Sequence, residues 1–350
     1  MPTALCNGAR INFVQLDEGG MNKREHLVMV HGLATNMAFW YLKYASQLAS
    51  EFRVTLFDLR GHGRSEMTPS GYAPANLATD LAELLDHLQI ERAHFVAHSF
   101  GGVVVMNFAL RQPERVQSLV LADTHVAVAR HNRDTREWAH GLAIQKTLDQ
   151  HGFGLDTQDP YFGYKLLTHV AHRHLHGLEV PDDLAELVNP LMGGTGGRTA
   201  AQWLKLMETT SAESEMMGDD NLSLDALRQF RFPIAAIYGD RSPARLTGTG
   251  LLNVWPHAEF RNVRNAGHFF PASRPEEFLT ACRRFWQGDF EDTQSRWRTG
   301  EIQRSFFRSD RVFRDEDGWY ATTREAGRLG PFPESEQARA VLSQFHAPQP

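Results

Sequence analysis

The sequence predicts an α/β fold on a mostly parallel sheet, and three observations carry that expectation. Short apolar runs ending in glycine or charge alternate with helical patterns through the first third of the 350 residues. One run passes through a serine-bearing turn directly into a helix, and a long stretch without strand-like runs separates the fourth run from the fifth. In order, Leu27–Val30 leads into His31-Gly32 and Val54–Phe57 into Asp58, each reading as a buried strand. Leucines at 77, 81, 84, 85 and 88, between Pro74 and Ile90, trace one face of an amphipathic helix. A third strand, Ala93–Ala97, runs through His98-Ser99-Phe100-Gly101-Gly102 into a helical stretch, Val103–Leu110, that Pro113 ends. Val116–Ala122 is a fourth strand closing on Asp123. Pro233–Tyr238 and Ala258–Val263 supply two more, and Pro275–Trp286 a final helix.

Between about 124 and 230 lie helical windows carrying Trp138, Tyr161, Phe162, Tyr164, Trp203, Met216 and Met217, which predict an inserted helical cap. The glycine run Met192–Gly197 reads as a loop between two cap helices. From about 289 lysine vanishes and arginine and aromatics recur. Val312–Arg314 and Trp319–Thr322 read as a hairpin around Asp315–Gly318, Gly330-Pro331-Phe332-Pro333 as a break, and Ser335–Phe345 as a helix. The expected division is therefore a domain over 1–288 and a small α+β module over 301–347, on a linker near Gln294–Gly300.

Composition narrows the function classes. With 36 basic against 42 acidic side chains and a net charge of −6, nothing draws the chain to nucleic acid or anionic lipid. Two cysteines, Cys6 and Cys282, are too few for a disulfide framework or a cysteine zinc cage and fit a reducing compartment. The first residues have neither a basic nor an apolar signal region, and no apolar run is long enough to span a bilayer, so the expected location is cytoplasmic. No phosphate-binding loop or dinucleotide fingerprint occurs, and no cofactor is expected.

A serine in a tight turn between strand and helix has a specific chemical use. The turn lifts the hydroxyl clear of the sheet and aims the following amide at the same spot. Ser99 has that context, flanked by the small residues Ala97 and Gly101. Upstream, His31-Gly32-Leu33 ends a strand where a second amide donor is needed. The N–H groups of Leu33 and Phe100 would then form an oxyanion hole. Asp58–Ser65 reads as a bracing turn. His268, in the glycine-bearing loop after the last strand, stands where a general base belongs.

In this order, strand-HG, D-x-R-G-x-G-x-S, H-S-x-G-G and a late G-H resemble the α/β-hydrolase fold superfamily, over residues 10–287. The resemblance implies an eight-stranded, mostly parallel sheet, a cap inserted after the sixth strand, and a Ser, acid, His triad in chain order. Haloalkane dehalogenases and epoxide hydrolases are similar in outline but carry aspartate where this chain has Ser99. The triad acid of such relatives usually stands three residues after the glycine ending the seventh strand. Here Gly239-Asp240-Arg241-Ser242 puts serine there and Asp240 two positions early. Asp123, at the end of the sixth strand, is the preferred acid and Asp240 the alternative.

His169, His172 and His176 share a helical face, with no acidic third ligand evident, and read as a solvated surface. Asp182-Asp183 reads as the start of a cap helix. The segment Trp319–Glu325 followed by Gly330-Pro331-Phe332 is similar to a small bacterial domain of unknown function. The expectation for function is a cofactor-free serine hydrolase acting on a small-molecule ester or thioester with a hydrophobic acyl or aryl part. The C-terminal module would offer a protein contact. A carbon–carbon bond hydrolase, an acyltransferase or a receptor on an inactive scaffold are the alternatives.

Overall fold

Eight strands form one sheet: β1 (Thr3–Cys6), β2 (Ala9–Leu16), β3 (His26–Val30), β4 (Arg53–Phe57), β5 (Ala93–His98), β6 (Val116–Ala122), β7 (Ile234–Gly239) and β8 (Glu259–Val263). Their spatial order is β1-β2-β4-β3-β5-β6-β7-β8. From β4 to β8 every pairing is parallel, whereas β1 with β2 and β2 with β4 are antiparallel. This computed structural model describes residues 1–17, 24–129, 139–185, 187–188, 196–288, 312–315, 318–323 and 327–344. Trp138, residues 192–195 of the glycine run and the linker expected at 294–300 lie outside the described residues.

The unbroken apolar runs of the sequence are strands buried on both faces. Leu27 and Met29 of β3 join Val96, Val120 and Ile237 in a core with Trp40, Tyr44 and Phe278. Val28 and Val30 turn the other way, to Phe95, Leu119 and Leu121. On that second face the helices Pro74–His87 and Phe100–Arg111 pack together. Their core continues into the cap through Phe162, Leu166, Trp203 and Leu206. The helix Pro275–Trp286 covers the first face.

The first two strands were not among those read from the apolar runs. Their signal is Asn7-Gly8, which turns a two-residue hairpin with both residues at positive φ, 45° and 76°, and sets Cys6 opposite Ala9. The broken helix Ala38–Ala49, with a π turn over Tyr41–Ala45, was likewise not foreseen. The described cap consists of helices, among them Ala139–Gln150, Phe162–Leu175 and Gly196–Thr209. Glu215 fastens it: its carboxylate accepts the N–H groups of Gly71, Tyr72 and Ala73, ahead of the helix Pro74–His87.

The chain divides into two compact units between Gln303 and Arg304. The C-terminal unit holds β9 (Val312–Asp315), β10 (Gly318–Thr323) and β11 (Gly327–Phe332), in the order β11-β10-β9, and the helix Ser335–Gln344, with Ala338 buried against Ala321. The segment read as a break is thus a third strand. Pro331 is accommodated because β11 is an edge strand, where a missing N–H breaks no ladder. Among the described residues no helix is long and apolar enough to cross a membrane.

Candidate active site

Ser99 follows the last residue of β5 with φ 53° and ψ −125°, a backbone conformation that side chains rarely adopt. The strain is held by close packing. A Cβ on Gly101 would lie 2.5 Å from the carbonyl oxygen of His31, so the helix after the turn can approach β3 only with glycine there. The Ser99 N–H donates to the Ala122 carbonyl (2.9 Å), fastening the turn to β6.

The loop after β8 brings His268 over this turn. The Ser99 hydroxyl donates to His268 Nε2 (2.9 Å), and His268 Nδ1–H donates to Asp123 Oδ2 (2.6 Å), with the tautomer assigned from these partners. Asp123 directly follows β6 and is fully buried. Its Oδ1 accepts the Gly239 N–H (2.8 Å), and its Oδ2 also accepts the Ser242 hydroxyl. These donors satisfy the buried carboxylate and fix it against the imidazole, which it orients.

Asp240, the alternative acid, does not meet His268: its carboxylate accepts the Ala266 N–H (3.1 Å). The turn after β7 explains the difference. Arg241 N–H donates to Ala266 (3.0 Å) and Ser242 N–H to Gly239 (3.1 Å), which leaves Asp240 on the Ala266 loop and the Ser242 side chain on Asp123.

Leu33 and Phe100 border the same pocket as Ser99 and His268. The Gly32 carbonyl accepts His31 Nδ1–H (2.7 Å) and the Thr35 hydroxyl (2.7 Å), while His31 Nε2 accepts the Leu59 N–H (3.0 Å). Burial lowers the His31 pKa, in keeping with a neutral ring in that role. Because the peptide is planar and trans, anchoring the Gly32 carbonyl turns the Leu33 N–H the opposite way. Phe100 opens a helix, so its N–H has no intrahelical acceptor. Asp58 takes the N–H groups of Met37 (2.8 Å) and Arg64 (2.9 Å) and the Asn12 amide (2.7 Å), bracing the loops around the site.

The pocket has a volume of about 140 Å³ and is mostly apolar, with Val103, Phe162, Leu166, Leu167, Leu187 and Phe269 on its walls. The cap supplies most of that surface. His172 of the cap has an acidic neighbour the sequence did not reveal, Glu208, at 3.2 Å. Among the described residues, however, no three His, Cys, Asp or Glu gather as a metal site. Asp182 and Asp183 lie in the first turn of the short helix Asp182–Ala185. Two polar residues gained no role from the sequence: Ser242, signalled by its place three residues after Gly239, and His98, which the H-S-x-G-G motif contains without assigning it a part.

A family profile described as alpha/beta hydrolase fold matches residues 25–170, and one described as a domain of unknown function (DUF6316) matches 297–347. RutD of Variovorax paradoxus (strain S110), a carbamate hydrolase by name, is 39% identical over 28% of this chain and 38% of its own length. The chain spans less than half the length of this relative and of RutD from Pantoea ananatis (strain LMG 20103), which it matches over 46%. A soluble epoxide hydrolase of Corynebacterium sp. (strain C12) is 25% identical over 81% of this chain and 96% of its own. Among solved structures, naproxen esterase from Bacillus subtilis superposes with a TM-score of 0.57 at 17% identity, covering 81% of this chain and 90% of the other.

Proposed function

The chain has the α/β-hydrolase fold, and we propose that it is a serine hydrolase that cleaves a carboxylic ester or thioester through an acyl-enzyme. The observation that carries this reading is the unbroken relay from the Ser99 hydroxyl through His268 to Asp123, at 2.9 and 2.6 Å, beside an apolar pocket. Ser99 Oγ attacks the acyl carbon as its proton passes to His268 Nε2. Asp123 holds the ring in the required tautomer and offsets the positive charge that develops on it. The Leu33 and Phe100 amides receive the developing oxyanion. His268 then gives the proton to the leaving group, and water, activated by the same imidazole, releases the acid.

The chemistry uses no cofactor. The pocket wall favours a hydrophobic acyl or aryl part over a small polar one. Serine attack on an epoxide would form an ether that water does not readily cleave, so this reading takes only the fold from the likeness to an epoxide hydrolase. The hydrolase domain in this reading is 1–288, with the module at 301–347 reserved for a protein contact. Both cysteines are buried free thiols, which suits a reducing, cytoplasmic setting.

The test is covalent labelling with a fluorophosphonate beside a series of p-nitrophenyl esters and acyl-CoA thioesters of graded chain length. The expected result is one label, on Ser99, and loss of turnover in Ser99→Ala with the fold unchanged. A label elsewhere, or turnover near wild type in Ser99→Ala, overturns the serine mechanism.

A further inference from the structure

His98 stands immediately before Ser99, yet its side chain does not face the pocket. Its ring is fully buried, stacked on Phe39 with centroids 4.7 Å apart and set 5.2 Å from Phe269. Nε2–H donates to the backbone carbonyl of His268 (2.9 Å), and the two imidazoles lie 4.9 Å apart. Nδ1 is buried with no hydrogen-bond partner among the described residues. It faces the Gly32 main chain, where a Cβ would come within 2.9 Å. A buried imidazole that leaves one nitrogen unsatisfied is a poor choice for stability alone, because that atom keeps its desolvation cost.

We infer that His98 is a positioning residue, whose single donated hydrogen bond ties the loop bearing the base to the turn bearing the nucleophile and sets the distance between His268 Nε2 and Ser99 Oγ. This rests on the serine-hydrolase reading above. His98 and Ser99 are adjacent, so whatever holds the His98 ring holds the nucleophile. Its bond goes to the backbone of His268 itself, so the base cannot drift without stretching it. Burial and the neighbouring His268 and His31 all disfavour a charge on His98. The ring therefore remains a neutral donor when His268 becomes an imidazolium. Removing the donor should slow the reaction without unfolding the protein, since an apolar ring in the same slot also removes the unsatisfied Nδ1.

The test compares the full-length chain with His98→Phe and His98→Met, which lack the donor, and His98→Gln, whose amide can still donate to the carbonyl. The measurements are thermal midpoint, kcat and KM on a p-nitrophenyl ester, and the rate of fluorophosphonate labelling. The expectation is a fall in kcat and labelling of about tenfold or more for Phe and Met, with KM within about twofold. The Phe midpoint should stay within a few degrees of wild type, and Gln should recover most of the rate. Phe or Met at the wild-type rate, or Gln as slow as Met, overturns the inference; if Phe does not fold, the Met and Gln pair decides. A fully active Ser99→Ala in the same assay instead overturns the serine reading beneath it, so the two failures are distinguishable.

Discussion

Ser242 donates its hydroxyl to Asp123 Oδ2, the same oxygen that receives Nδ1–H of His268. Asp123 directly follows β6, and a hydroxyl from the turn after β7 reaches across to hold its carboxylate. Ser242 is buried and also accepts the Ala244 N–H (3.2 Å), so its rotamer is fixed from both sides. The position after β7 thus retains a part in the relay while the charge resides on the neighbouring strand.

The acid assignment gives the first prediction. Asp123→Asn should lower kcat by orders of magnitude with little change in KM, because the ring loses both its tautomer and its counter-charge. Asp240→Asn should stay within several-fold of wild type. Steady-state kinetics of the two variants, with circular dichroism as a control for folding, decides between them. Equal and modest losses would mean that neither carboxylate serves.

Ser242→Ala should cost roughly tenfold in kcat, about 1.4 kcal/mol, because Asp123 loses the hydroxyl that fixes its carboxylate in line with His268. Ser242→Thr, which keeps the hydroxyl, should restore the rate. Steady-state kinetics at the wild-type rate in Ser242→Ala would remove Ser242 from the relay.

Acid should weaken the fold through buried histidines. His62 donates Nδ1–H to the Arg60 carbonyl (3.0 Å), and burial lowers its pKa to about 4. In the unfolded chain the value is about 6.5, so below that pH protonation favours unfolding. Stability is full above about 6.5 and declines as pH falls toward about 4, by about 3 kcal/mol from this residue. His31 and His98 are shifted the same way. Urea midpoints at pH 7 and pH 5 test this. His62→Phe should lose less between the two than wild type, and parallel losses in both proteins would exclude His62 as a source.

Truncation after Gln287 should leave a chain that folds and hydrolyses a small soluble ester within several-fold of full length, because Ser99, Asp123 and His268 all lie upstream. A truncated chain with a native circular dichroism spectrum and no activity on that ester would assign the missing residues to the site, and the two-module division would have to be given up.

The N-terminal hairpin shows why local patterns reveal some elements and not others. β3 to β7 announce themselves because strands buried on both faces are largely apolar, while β8, at the far edge and half-buried at Phe260, Arg261 and Asn262, carries a weaker form of that signal. β1 and β2 lie at one edge of the sheet, where exposed polar residues such as Thr3, Arg10 and Gln15 break that signature, and only the Asn7-Gly8 turn betrays them. β11 escaped notice for a related reason: an edge strand tolerates the proline that reads as a break.

By itself the sequence determined the sheet-and-cap architecture, the strained turn at Ser99 and the loop that bears His268. These depend on apolar periodicity and on small residues within a few positions of one another, and both are local properties. It did not decide between Asp123 and Asp240, place Ser242 on the acid, or join His98 to the backbone of His268. Those relationships span 119 to 170 positions of chain. They exist only because parallel pairing sets the carboxyl ends of β5, β6, β7 and β8 side by side and the turns after them aim each side chain, which no spacing along the chain encodes.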